Sequence, residues 1–197
     1  QIAGIDVRLA DTQAPERIGA HRELFASPRL DNLSAVYASM VALVTTEPEP
    51  GTIAMIAAFD HEELGSETRS GASGPFLKEV ITRLEAGLGA GVEERARALA
   101  ASWCLSTDAG HAVHPNYPEK HDPHVRPVAG GGPILKVNAN QRYATEAFGE
   151  AMWRRCALRA GVPTQEFVSH NGVPCGSTIG PLTAARLGIR TVDVGVP

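Results

Sequence analysis

Short apolar segments alternate with amphipathic ones along most of this chain, and that alternation limits its fold more than any other feature. Ile53 to Phe59 is a continuous apolar run with a turn before it and charges after it, the mark of a strand covered on both faces in a parallel sheet. Ahead of it, Leu33, Val36, Tyr37, Met40, Val41 and Val44 recur at three-and-four spacing until Pro48, Pro50 and Gly51 stop the helix they predict. Pro75 to Leu84 and Glu93 to Ala101 read as helices, and Trp103 to Thr107 and Ile134 to Asn138 as strands. The strongest helix is Thr145 to Ala160: Ala147, Phe148, Ala151, Met152, Arg155 and Leu158 share a face, and Gly161 with Pro163 ends it. Gln165 to Val168 is then a strand, Ile179 to Leu187 a helix closed by Gly188, and Arg190 to Val194 a last strand. Ile2 to Leu9 reads as a half-buried strand, followed by a polar loop from Asp11 to Arg22. Together these predict one α/β domain, a mostly parallel or mixed sheet with helices on both faces, whose ligands gather at the carboxyl ends of the strands.

Size and charge narrow the function. At 197 residues and 43% hydrophobic residues the chain can bury a core, and a net charge of −4 with no basic stripe argues against nucleic-acid binding. No apolar run approaches the ~20 residues of a membrane span. Cys104, Cys156 and Cys175 are odd in number and widely spaced, which fits neither a disulfide framework nor a cysteine zinc site, so a cytoplasmic location is expected. Gln1 in place of Met and the close at Pro197 make both ends look cut.

The informative side chains sit at the predicted strand ends. Asp31 stands at a loop-to-helix junction, Asp60, Glu62 and Glu63 follow the run ending at Phe59, and Asp108 follows the strand ending at Thr107. Carboxylates converging on one rim need solvent or a cation, because burying one unpaired costs several kcal/mol. Oxygen ligands with imidazole suit zinc or manganese, and of two adjacent glutamates one can bind metal while the other takes a proton from water. Each acid also has a plain role, Asp31 as a helix cap and Glu62 with Glu63 as a solvated loop, and the histidines show no His-Glu-x-x-His spacing. Spacing alone leaves both readings open. Cys175 at the mouth of a helix raises a Cys-His hydrolase as a rival, against which Ser177 or Thr178 makes the same loop an ordinary cap.

Five longer motifs, in order, carry a resemblance. Ser27-Pro28-Arg29-Leu30-Asp31-Asn32-Leu33, Phe59-Asp60-His61-Glu62-Glu63-Leu64-Gly65-Ser66, Asp108 to Tyr117, Pro133 to Thr145 and Pro174 to Pro181 are similar to successive motifs of the aspartyl aminopeptidase family. The resemblance implies a zinc-exopeptidase fold of phosphorylase/hydrolase-like architecture and a two-metal site that removes Asp or Glu from peptide N-termini. It makes Asp31 the carboxylate bridging two zinc ions (manganese or cobalt as alternatives), Glu62 the general base, Glu63 a ligand of one metal and Asp108 of the other. His111 and Lys136 match substrate-contacting positions, with Arg142 the runner-up to Lys136 as the cation for an acidic side chain.

It further implies a homo-oligomer, a tetrahedral dodecamer in the family, with peptides as partners and neither nucleic acid nor membrane. Residues 1–197 are then the core of a catalytic domain and 1–25 the junction with an inserted dimerisation domain. Family members are more than twice as long and supply one histidine ligand before that insert and another shortly after the strand that ends here at Val194. The alternative reading is a truncated, catalytically silent α/β domain. Gly172 stands where the family usually has Asp.

Overall fold

The computed structural model describes residues 2–197. In chain order the elements are β1 (Glu16–Ile18), β2 (Leu24–Ala26), α1 (Leu30–Thr45), a 3-10 turn (Glu62–Leu64), α2 (Phe76–Gly87), α3 (Val92–Ala101), β3 (Trp103–Ala109), a second 3-10 turn (Pro118–Lys120), β4 (Ile134–Lys136), α4 (Ala147–Ala160), β5 (Gln165–Phe167), α5 (Ile179–Leu187) and β6 (Arg190–Val196). Strands β1 and β2 form a small antiparallel hairpin, and the main sheet has the order β3-β6-β4-β5. Strands β3 and β6 run parallel from Trp103 opposite Arg190 to Ala109 opposite Val196, and β4 and β5 are also parallel. The junction between the two pairs is antiparallel, with Ile134 opposite Gly195 and Leu135 opposite Val194.

Alternation along β6 places helices on both faces. Val192 and Val194 turn to one side and pack with Leu135, Met152 and Trp153. There α4 comes in close at Gly149, where a Cβ would stand 3.1 Å from Cβ of Val192. Asp193 turns to the other side, where the Thr178 hydroxyl at the start of α5 donates to its carboxylate at 2.7 Å. The same face carries the cluster of Ile134, Tyr143 and Phe167 with Cys175 against it. Gly161 and Gly188 end α4 and α5 in the left-handed conformation, at φ 64° and 67°, as their places in the sequence predict.

Three expectations fail. Ile2 to Leu9 forms no strand, and β1 arises instead inside the segment read as a polar loop. Ile53 to Phe59 joins no ladder, and Ile53 is 64% exposed rather than covered. A strand exists only where a neighbour takes up its backbone hydrogen bonds, and among the described residues neither segment has one. The third concerns α4: the helix buries Gly149 and Ala157 and leaves Phe148 and Leu158 exposed. Its orientation follows the close approach at Gly149 and the Trp153 indole N–H donating to Thr164 Oγ1 at 2.8 Å, which turn that side to the sheet.

Candidate metal centre

Asp31 lies one residue into α1 with a non-helical backbone, φ −80° and ψ 115°, behind Arg29 in the left-handed region. The peptide joining Asp31 to Asn32 is cis. No side chain caps the start of α1, so Asp31 is not spent as a helix cap. Glu62 and Glu63 occupy the first 3-10 turn, between His61 at φ 64° and Gly65 at φ 89°, with Ser66 at φ 61° beyond. Non-glycine residues in that region cost about 1 kcal/mol each, which the bonds of the turn and of the loop after it must offset, while Glu63 and Leu64 stay exposed. Asp108 sits near the carboxyl end of β3, on the same face as Asp193.

The three segments converge. Asp108 and Asp31 touch side chain to side chain, and both lie within electrostatic reach of Glu62, which has Glu63 beside it. Burial holds the Glu62 carboxyl above the usual range, Glu63 and Asp31 push it further, and Lys136 opposes them. Asp108 is pushed up to about 6, first by burial and then by Asp31 and Glu62, against the pull of Lys136.

Lys136 is the counter-charge. It is only 2% exposed, and its Nζ donates to the Ala109 carbonyl at 2.6 Å. Burial lowers its pKa, offset by Asp108, Asp193, Asp31 and Glu62. Because β4 runs against β6 and β3, its carboxyl end faces away from the rim of Asp108. The side chain turns back across the sheet instead, past Gly195, where a Cβ would stand 2.9 Å from Cε of Lys136. Glycine at 195 therefore leaves the corridor through which the ammonium reaches the acidic rim.

His111 lies two residues beyond the end of β3. Its exposed ring meets Phe167 edge-on at 6.2 Å. His61 Nδ1 is engaged with Thr68 Oγ1 at 2.8 Å, and Cys175 donates its thiol proton to the Gly176 carbonyl with no imidazole bonded to it among the described residues. The rival Cys-His arrangement is therefore not assembled.

The donor set fits a divalent cation on its oxygen side: crowded carboxylates, two of them held above their normal range, gain from a positive charge placed among them. Among the described residues no three His, Cys, Asp or Glu side chains close around one point, and no imidazole joins the acids. One group escaped the sequence reading. Asp193 is fully buried and accepts from Thr178 Oγ1 at 2.7 Å and from the Ala144 N–H at 2.6 Å. A lone acid between Val192 and Val194 in an apolar strand was its signal.

Comparison with known proteins places the chain. Residues 1–197 match the family described as aminopeptidase I zinc metalloprotease (M18), and the chain belongs to that family. It is 52% identical over 198 residues to a probable M18 family aminopeptidase 2 of Streptomyces avermitilis, covering 99% of this chain and 46% of that protein. The cryo-EM structure of the Ape4 and Nbr1 complex contains a chain that superposes with a TM-score of 0.86 at 38% identity, covering 95% of this chain and 36% of that one. The mApe1 dodecamer of S. cerevisiae superposes with a TM-score of 0.79 at 31% identity, over 94% of this chain and 42% of that one. The chain thus spans less than half the length of the curated relatives it matches.

Proposed function

We propose that residues 1–197 form the catalytic-domain core of a zinc-dependent aminopeptidase that removes Asp or Glu from peptide N-termini. In this reading Asp31, Glu63 and Asp108 hold the metal, Asp31 between two ions, and Glu62 is the general base. The observation that carries it is that Asp31, Glu62 and Asp108, from three separate segments, lie within electrostatic reach of one another, with Glu62 held above its ordinary range. Bound zinc would lower the pKa of a water molecule and polarise the scissile carbonyl. Glu62 accepts a proton best when its own pKa approaches neutrality, and burial beside Glu63 and Asp31 moves it that way. Lys136 supplies the positive charge that an acidic side chain needs when it leaves water, and His111, just beyond β3, is a second substrate-contacting residue in this reading.

The dodecamer among its structural neighbours supports a homo-oligomer, with residues 1–25 at the junction to a further domain. Three free thiols suit a reducing cytoplasm, and among the described residues no helix is long and apolar enough to cross a membrane. The test is a pair of variants in the full-length protein. Glu62→Gln should reduce turnover roughly 10²–10⁴-fold and leave zinc content near wild type, whereas Glu63→Ala should lose zinc. Equal loss of zinc in both would mean that the roles of the two glutamates are misassigned.

A further inference from the structure

We infer that Thr68 is a positioning residue for the glutamate pair: its hydroxyl joins His61 to Gly71 and so holds the turn that presents Glu62 and Glu63. This rests on the reading of Glu62 as base and Glu63 as ligand. The turn is tied mainly to itself: the N–H groups of Leu64 and Ser66 donate to the His61 carbonyl at 3.1 and 2.9 Å, and that of Gly65 to the Glu62 carbonyl at 2.9 Å. Those bonds fix its shape but not its attitude to the rest of the molecule.

Thr68 supplies the missing side-chain tie. Its Oγ1 accepts the Gly71 N–H at 3.0 Å and lies 2.8 Å from His61 Nδ1. The hydroxyl has one proton and two lone pairs, so it can accept from Gly71 and still pair with Nδ1 in either tautomer of His61. The loop beyond is well anchored: Ser66 and Ala72 are 3% and 4% exposed, and the Ser66 carbonyl accepts from the N–H groups of Thr68 and Ser73 at 2.9 and 3.2 Å. His61, next to Glu62, is thereby fastened to a buried base, which lets a residue in a left-handed conformation be held in one orientation.

The experiment uses the full-length, zinc-loaded protein. Thr68→Val keeps the branched shape and removes both bonds, and His61→Ala removes the partner. Thr68→Ser restores the hydroxyl, and His61→Asn places an amide that can donate or accept where Nδ1 stood. Both disruptive variants should lower kcat about tenfold or more with KM within about twofold, weaken zinc about tenfold in competition with a chromophoric chelator, and speed amide exchange at Leu64, Gly65 and Ser66. The two conservative variants should recover all three within about threefold, and the Thr68→Val, His61→Ala double variant should lose no more than either single one. Wild-type zinc affinity and exchange in Thr68→Val, or a Thr68→Ser as damaged as Thr68→Val, would overturn the inference. Glu62→Gln separates the two levels. If it keeps full turnover while Thr68→Val still weakens zinc, the function reading fails and the tie stands.

Discussion

Replacing Lys136 by Met removes one charge from a place where the fold has prepared for it. The Met side chain follows the same corridor past Gly195, so the loss is electrostatic and not a cavity. Two contributions can be sized. The charged hydrogen bond from Nζ to the Ala109 carbonyl, 2.6 Å long and buried, contributes roughly 1.5–3 kcal/mol. Leaving partners of a buried ion unpaired costs about 3–5 kcal/mol in full. Here that cost is reduced, because Asp108 already stands at about 6 and takes up a proton readily, while Asp193 keeps its bonds to Thr178 and Ala144. The expected destabilisation is about 2–4 kcal/mol at pH 7, read from urea unfolding followed by tryptophan fluorescence. In the full-length protein the same change should lower kcat/KM for Asp- and Glu-initiated peptides far more than for an Ala-initiated one. A stability loss under about 0.5 kcal/mol together with equal losses on all peptides would refute both the counter-charge and the specificity role.

Other consequences follow from single groups. Among the described residues Ser106 Oγ is buried without a hydrogen-bond partner, so Ser106→Ala should stabilise the chain by about 1 kcal/mol; a loss in urea unfolding would reveal a partner for the hydroxyl. Burial pushes the Cys104 thiol up to about 11, helped by Asp193 and opposed by a hydrogen bond from Thr191. The folded state therefore retains the thiol proton, and at pH 8 Cys104 should react with a disulfide reagent far more slowly than exposed Cys156, gaining rate only as the pH climbs toward 11. Val at 149 would force α4 away from Val192, which a Cβ there already approaches to 3.1 Å; Gly149→Val should cost about 1–3 kcal/mol by the same unfolding assay.

Local rules carried much of the fold. The ends of α4 and α5 are legible because Gly161 and Gly188 mark left-handed caps, and β3, β5 and β6 because their apolar patterns are interrupted by turns on either side. Ile53 to Phe59 has the same local text, yet ladder formation is a property of a pair and not of a segment. The direction of β4 was equally out of reach. Ile134, Leu135 and Lys136 read alike whichever way the strand runs, and the choice rests on the three-residue pairing with β5 and the contact with β6.

The acidic residues of the candidate site stood out in the sequence because carboxylates beside apolar segments have few structural uses, and Asp31, Glu62 and Asp108 lie within electrostatic reach of one another. What neutralises them was not legible, because it depends on the backward course of one lysine side chain. Lys136 does not come to the rim from the carboxyl end of its strand. It reaches the Ala109 carbonyl from an antiparallel strand that ends elsewhere, and it does so because residue 195 lacks a side chain. Asp193, fully buried on the same face, completes the arrangement: it adds a negative charge behind the lysine and ties the start of α5 and the Ala144 backbone to β6. The rim thus faces a lysine whose Nζ is held by the Ala109 carbonyl, and Asp108, Asp193, Asp31 and Glu62 work against the lowering of its pKa by burial. On the proposed function, a fixed ammonium beside the acidic rim is what would discriminate acidic from neutral side chains, and the comparison of peptides with Lys136→Met tests that.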